Sequence, residues 1–261
     1  MKADDDEALL RGQAVAAVRR LDALGLNRGS TGNLSLRCAR DGVDGMLITP
    51  TGMGADDLRP QDLVWIGGNG RVLGDWQPSS EWQLHQAVFA RRDDLQAVVH
   101  AHSVHATALA CLRRELPPFH YMVAVGGAER VPCVPYHGFG SAALASAVAQ
   151  ALHDRNACLL AHHGLVAAGA TLAQAMKIAQ EIESLCEVYL KALAVAEPQH
   201  LSAAQMAEVL EQFSRYGRAR RARARAAARW PAAARPATAR RPARAAARRP
   251  RRGTARRPAR R

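Results

Sequence analysis

Ala97–His105 reads AVVHAHSVH, an apolar run that ends in histidines at positions 100 and 102. Strand side chains alternate with period two, so His100 and His102 leave the same face of one strand. Two neutral imidazoles side by side on rigid backbone are half of a metal site. The same fragment also fits a polar strand end near the surface, with His105 an ordinary solvated histidine.

Two other stretches bear on that choice. Ala157–Leu160 is a second apolar run and leads into Ala161-His162-His163-Gly164. Consecutive strand residues point to opposite faces, so only one of His162 and His163 can join the first pair. Pro78-Ser79-Ser80-Glu81 precedes a helical stretch, EWQLHQAVFARR. A serine cap with an acid in the first turn is a common helix start. The same residues also suit a phosphate held on free N–H groups and hydroxyls, with Glu81 left as a base. His85, one turn on, reads as a helix-surface residue.

The remaining segments alternate short strands with helices. Asp4–Asp6 and the following EALLRGQAVAAVRRLDALGL predict an amphipathic helix stopped by Gly25. Leu34–Leu36 and Met46–Ile48 are short strands beside the polar turns Gly29–Asn33 and Thr49–Gly52, and both turns suit either a hairpin or an anion cradle. Leu63–Leu73 reads as a hairpin, Val104–Leu112 as a short helix and Val131–Tyr136 as a strand kept near an edge by Pro135. Ser141–Leu152, Thr171–Ala194 and Ser202–Phe213 are helices. The fold class is therefore α/β (α+β): a single domain with a mixed sheet covered by helices. GxGxxG, Walker and GxSxG motifs are absent, which leaves nucleotide binding and serine hydrolysis without support.

The net charge of +13 over 261 residues is unevenly distributed. Residues 218–261 hold 18 Arg, no Lys and no acid, leaving 18 basic and 23 acidic residues in 1–217, a net of −5. The division expected is a globular body over 1–217 and a disordered Arg/Ala/Pro tail over 218–261. The tail fits a polycationic arm for nucleic acid, or an out-of-frame read of GC-rich DNA, to which the complete lack of Lys points. Five dispersed cysteines without a CxxC pair, and no apolar leader or membrane-length segment, suggest a soluble cytoplasmic protein.

Taken together, GLNRGSTGNLSLR, MLITPTGM, PSSEW, VVHAHSVHATA, HYMVAVGG, VPCVPY…FG and LLAHHGL follow the order and spacing of the class II aldolase/adducin family, from about Leu10 to Gly217. The likeness is strongest to its L-fuculose-1-phosphate aldolase branch. That resemblance implies a three-layer domain with a central, mainly antiparallel sheet flanked by helices, assembled as a homotetramer. It implies zinc held by His100, His102 and His163, with Glu81 as ligand at rest and acid/base in turnover. Gly32, Asn33, Thr51, Gly52, Ser79 and Ser80 match the phosphate-binding turns. Tyr121 matches a tyrosine that reaches a neighbouring subunit's site, and Phe139 and Tyr216 match residues at the aldehyde end. The activity implied is reversible cleavage of a ketose 1-phosphate, such as L-fuculose 1-phosphate, into dihydroxyacetone phosphate and L-lactaldehyde. His137 and Gly138 depart from the branch, where a small residue and Thr are more usual, so aldehyde specificity is open.

Other branches of the family share the metal and phosphate motifs: a pentulose-phosphate 4-epimerase, a 3-oxo-tetronate-phosphate decarboxylase and a methylthioribulose-phosphate dehydratase. A non-catalytic adducin-like binding domain would be expected to lack the histidines, all of which are present. Nucleic-acid binding has only the basic tail behind it.

Overall fold

A computed structural model of the chain describes residues 2–215; Tyr216 and the basic stretch 218–261 lie outside the described residues. α1 (Lys2–Ala23) leads into β1 (Asn33–Arg37) and β2 (Gly45–Ile48). The hairpin β3 (Val64–Gly67) and β4 (Val72–Leu73) precedes α2 (Trp82–Arg91) and β5 (Ala97–Ala101). There follow α3 (Val104–Cys111), a 3-10 turn at Tyr121–Gly126, β6 (Cys133–Val134), α4 (Ala142–Ala151), β7 (Ala157–Leu160), β8 (Gly164–Gly169), α5 (Leu172–Leu193) and α6 (Ala203–Arg215).

The strands form one eight-stranded sheet in the order β4-β3-β2-β1-β5-β8-β7-β6. Neighbours are antiparallel except β6 and β7. β6 is an edge strand and far shorter than the Val131–Tyr136 expected from sequence. Pro132 and Pro135 bracket it, and neither has an N–H to donate to a ladder.

Period-two alternation sorts the apolar residues into two cores. Leu34, Leu36, Leu47, Trp65, Val99, Leu159 and Leu165 pack with residues of α1, α3, α5 and α6. Met46, Ile48, Val64, Ile66, Val98, Cys158, Leu160 and Val166 pack under Leu84, Val88 and Phe89 of α2 and Leu144 and Val148 of α4. The architecture is the three-layer, mainly antiparallel arrangement expected, with helices on both faces. No helix among the described residues is long and apolar enough to cross a membrane.

β5 lies at the centre and carries the histidines. Its neighbour β1 sets Asn33 opposite His100, and β8 sets Val166 opposite His100 and Leu165 opposite Ala101. The β7–β8 turn must therefore close against the end of β5. Gly164 makes this approach possible, because a Cβ there would collide with the Ala101 carbonyl oxygen.

Candidate active site

His100 is the next-to-last residue of β5, on the face covered by α2, and His102 lies one residue beyond the strand. His163 is brought in by the β7–β8 turn. Their ring centroids form a nearly equilateral triangle, 4.8, 4.7 and 4.8 Å on a side, with interplanar angles of 71°, 78° and 84°. His100 Nε2 and His102 Nε2 are 2.9 Å apart. Glu81 completes the group, with Oε2 3.1 Å from His100 Nε2 and Oε1 3.4 Å from His163 Nε2. One donor atom from each of the four residues lies within 4.8 Å of all the others.

The chemistry of this group fits a divalent cation. His100 Nδ1 donates to the Leu165 carbonyl at 2.9 Å, which leaves Nε2 as the atom facing the cluster, a donor to Glu81 when it carries a proton and a lone pair for a cation when it does not. Glu81 is only 6 % exposed, yet its Oε1 has no hydrogen-bond partner among the described residues. A buried carboxylate oxygen facing three imidazole nitrogens is costly unless a cation satisfies it. Burial, and then the charge of His100 and His163, lower His102 to about 4. Burial and His100 lower His163 to about 4 as well. Both rings are thus neutral near pH 7, the form that binds metal. Burial alone would raise the Glu81 carboxyl, but hydrogen bonding and charge from His100, the charge of His163 and hydrogen bonding from Asn33 outweigh it. Glu81 is held well below the usual carboxylate range and stays ionised.

The cluster opens into a cleft of about 340 Å³. Gly32, Asn33, Thr51, Gly52, Ser79 and Ser80 all line it, so three turns far apart in sequence meet at one place. Thr51 N–H donates to Gln77 O at 3.0 Å and Ser79 N–H to Thr49 O at 3.0 Å, which ties the second turn to the third. Gly32 and Gly52 adopt φ of +75° and +71°, the left-handed conformation that turns backbone N–H groups into a concave cradle. Phe139 is 74 % exposed and lines the cleft with Tyr136, His137 and His162.

Several expectations need correction. No side chain caps α2: Glu81 occupies the N-cap position, turns its carboxylate into the cluster, and its N–H donates to Ser79 Oγ at 3.3 Å. His85 is not a helix-surface residue but is completely buried. It contacts Ser35 Oγ at 2.7 Å through Nδ1 and Asn33 Oδ1 through Nε2. Its helical spacing from Glu81, shared with Leu84, Val88 and Phe89, was the available signal. His105 is half-buried and paired with Glu183 at 2.9 Å.

His162 stays outside the metal-type cluster. Its φ is +58°, and its Nε2 accepts from Arg113 Nε at 3.0 Å. Tyr121 is 51 % exposed and does not line its own chain's cleft. Tyr216, expected at the aldehyde end, lies outside the described residues.

The family model for the Class II Aldolase and Adducin N-terminal domain matches residues 12–190. A 5-methylthioribulose-1-phosphate/5-deoxyribulose-1-phosphate aldolase of Rhodospirillum rubrum is 48% identical over 208 residues, covering 80% of this chain and 92% of its own. An L-fuculose phosphate aldolase of Escherichia coli is 44% identical over 206 residues, covering 78% and 94%. A solved structure of L-fuculose 1-phosphate aldolase superposes with a TM-score of 0.74 at 36% identity, over 78% of this chain and 95% of that one. The chain belongs to the class II aldolase and adducin family, as a member of its aldolase enzymes.

Proposed function

We propose that the protein is a zinc-dependent aldolase that reversibly cleaves a ketose 1-phosphate into dihydroxyacetone phosphate and a short aldehyde. One observation carries the reading: a buried Glu81–His100–His102–His163 cluster sits at the floor of a cleft whose rim is three turns of N–H groups and hydroxyls. His100, His102 and His163 would hold the ion, with Glu81 as the resting fourth ligand. When bound, the ion supplies Lewis-acid stabilisation of negative charge on the substrate's oxygens.

The chain's own residues divide the remaining work. Gly32, Asn33, Thr51, Gly52, Ser79 and Ser80 hold the phosphate and so fix where C3 and C4 lie. Tyr121 of a neighbouring copy assists loss of the C4 hydroxyl proton to solvent as the C3–C4 bond breaks. The electron pair stays on the dihydroxyacetone phosphate half, and Glu81, once displaced from the ion and protonated from solvent, passes that proton to the carbon, so one proton leaves the substrate and one returns. The exposed position of Tyr121 outside its own cleft supports a site completed across an interface, as in a homotetramer. The body over 1–217 suffices for this chemistry in our reading, and residues 218–261 have no part in it.

L-fuculose 1-phosphate, giving L-lactaldehyde, is one substrate supported by the relatives. The Rhodospirillum rubrum relative supports a second, a 5-deoxy- or 5-methylthio-ribulose 1-phosphate. The aromatic wall of Tyr136 and Phe139 suits an unphosphorylated, apolar end in either. The test is to incubate the purified protein with all three and quantify dihydroxyacetone phosphate and aldehyde. Release from at least one supports the aldolase reading. Release from none, with an epimer, a dehydrated product or carbon dioxide formed from a related sugar phosphate, would overturn it.

A further inference from the structure

We propose that His85 is a positioning residue for Glu81, acting through a one-way hydrogen-bond chain Ser35→His85→Asn33→Glu81. The inference rests on the acid/base role proposed for Glu81.

Two periodicities bring these side chains together. Asn33 and Ser35 are two apart on β1 and share a face. Glu81 and His85 are four apart at the start of α2 and share a face. α2 lies over that face of β1, and the next same-face residue, Arg37, donates from Nη2 to the Phe89 carbonyl at 2.9 Å. The alternate β1 residues, Leu34 and Leu36, point to the opposite core. The side chains β1 turns towards α2 are therefore Asn33, Ser35 and Arg37, the last also lying over the Phe89 ring, although Ser35 and His85 are fully buried and Asn33 is nearly so. An apolar pair at 35 and 85 would avoid the desolvation cost of this arrangement, so packing alone does not explain it.

Each link fixes the direction of the next. The ionised Glu81 carboxylate carries no hydrogen, so Asn33 must present Nδ2 to Oε2, at 3.1 Å. That turns Asn33 Oδ1 towards His85. The amide oxygen only accepts, so His85 Nε2 must carry the hydrogen. Burial keeps the ring neutral, which leaves Nδ1 as an acceptor. Ser35 then donates to it at 2.7 Å. Without the His85 donor, the buried Asn33 Oδ1 loses its partner and the amide is held towards Glu81 by the carboxylate alone.

The experiment compares His85→Phe with His85→Gln, reading kcat, KM and zinc affinity against a chelating dye. Phe keeps the ring and its volume but has no donor; Gln keeps an N–H at nearly the same reach. The chain predicts a loss of roughly 10–100-fold in kcat or zinc affinity for His85→Phe, with His85→Gln retaining most of both. KM should move less than kcat or zinc affinity does in either, because Asn33 is the one residue of the phosphate turns that His85 touches. A packing role predicts the reverse order, and a near-normal His85→Phe overturns the proposal. Should His85→Phe fail to fold, ¹⁵N-imidazole NMR of the wild-type chain decides. A neutral ring protonated on Nε2 upholds the chain, and an Nδ1-protonated ring or an imidazolium at pH 7 overturns it. Zinc affinity and tautomer remain readable if the wild type cleaves no ketose phosphate, so failure of the aldolase reading is distinguishable from failure of this one.

Discussion

Replacing Glu81 with Gln changes one carboxylate oxygen to an NH₂ group and leaves the side chain's shape intact. In the native site Oε2 accepts from Asn33 Nδ2 at 3.1 Å and Oε1 lies 3.4 Å from His163 Nε2. A Gln that turns its oxygen to Asn33 keeps that bond but loses its charge assistance, at a cost of about 1 kcal/mol. For a domain of this size that lowers Tm by about 2–4 °C. Turnover responds far more strongly, because an amide neither takes nor delivers a proton. General acid–base catalysis is worth roughly 10²–10⁴-fold, or about 3–5 kcal/mol of barrier. The assay is dihydroxyacetone phosphate release at saturating ketose phosphate, beside a thermal melt and a zinc analysis. A folded, zinc-loaded Glu81→Gln protein with turnover within about threefold of wild type would refute the role of Glu81.

Three further outcomes follow from the same geometry. His163→Ala should lose most bound zinc while His162→Ala keeps it, since only His163 belongs to the cluster; the opposite result in elemental analysis would reverse the assignment. In metal-free protein, burial holds His102 and His163 at about 4 and His85 at about 3, below the ordinary 6.5. The unfolded chain therefore binds more protons below pH 6.5, so stability is complete above that pH and falls as pH drops towards 4. Glu81, held low, adds to this loss only below its usual value of 4.5. A chelator-treated protein whose Tm is flat or rises from pH 7 to about 4.5 would contradict this. Mixing inactive Tyr121→Phe with inactive His100→Ala protein should restore activity through hybrid interfaces, and no recovery despite demonstrated subunit exchange would place the whole site within one chain.

The two-residue spacing of His100 and His102 was readable because strand periodicity needs no tertiary information. The same rule showed that one of His162 and His163 must be excluded, but not which. That depends on a turn in which His162 adopts a left-handed φ and Gly164 lets β8 press against Ala101. The three cradle turns were each ambiguous as local sequence. They became one feature only because the sheet order sets β1 and β2 side by side and the Pro50–Pro78 bridge draws the third turn to them. His85 was misread because a lone histidine in a helix is usually solvated. Its stripe with Leu84, Val88 and Phe89 was visible, but the polar partners that make burial tolerable, Asn33 and Ser35, lie some fifty residues upstream. β6 was overextended because apolar residues around Cys133 suggest a strand, while its two flanking prolines restrict the ladder.

The central claim is that the Glu81–histidine cluster is a metal site on which aldol cleavage depends. The most direct measurement is dihydroxyacetone phosphate release by one preparation as isolated, after zinc is stripped with a chelator, and after zinc is restored, with zinc quantified each time. About one zinc per chain is expected, with loss of cleavage in step with its removal and recovery on restoration. Full cleavage by metal-free protein would contradict it.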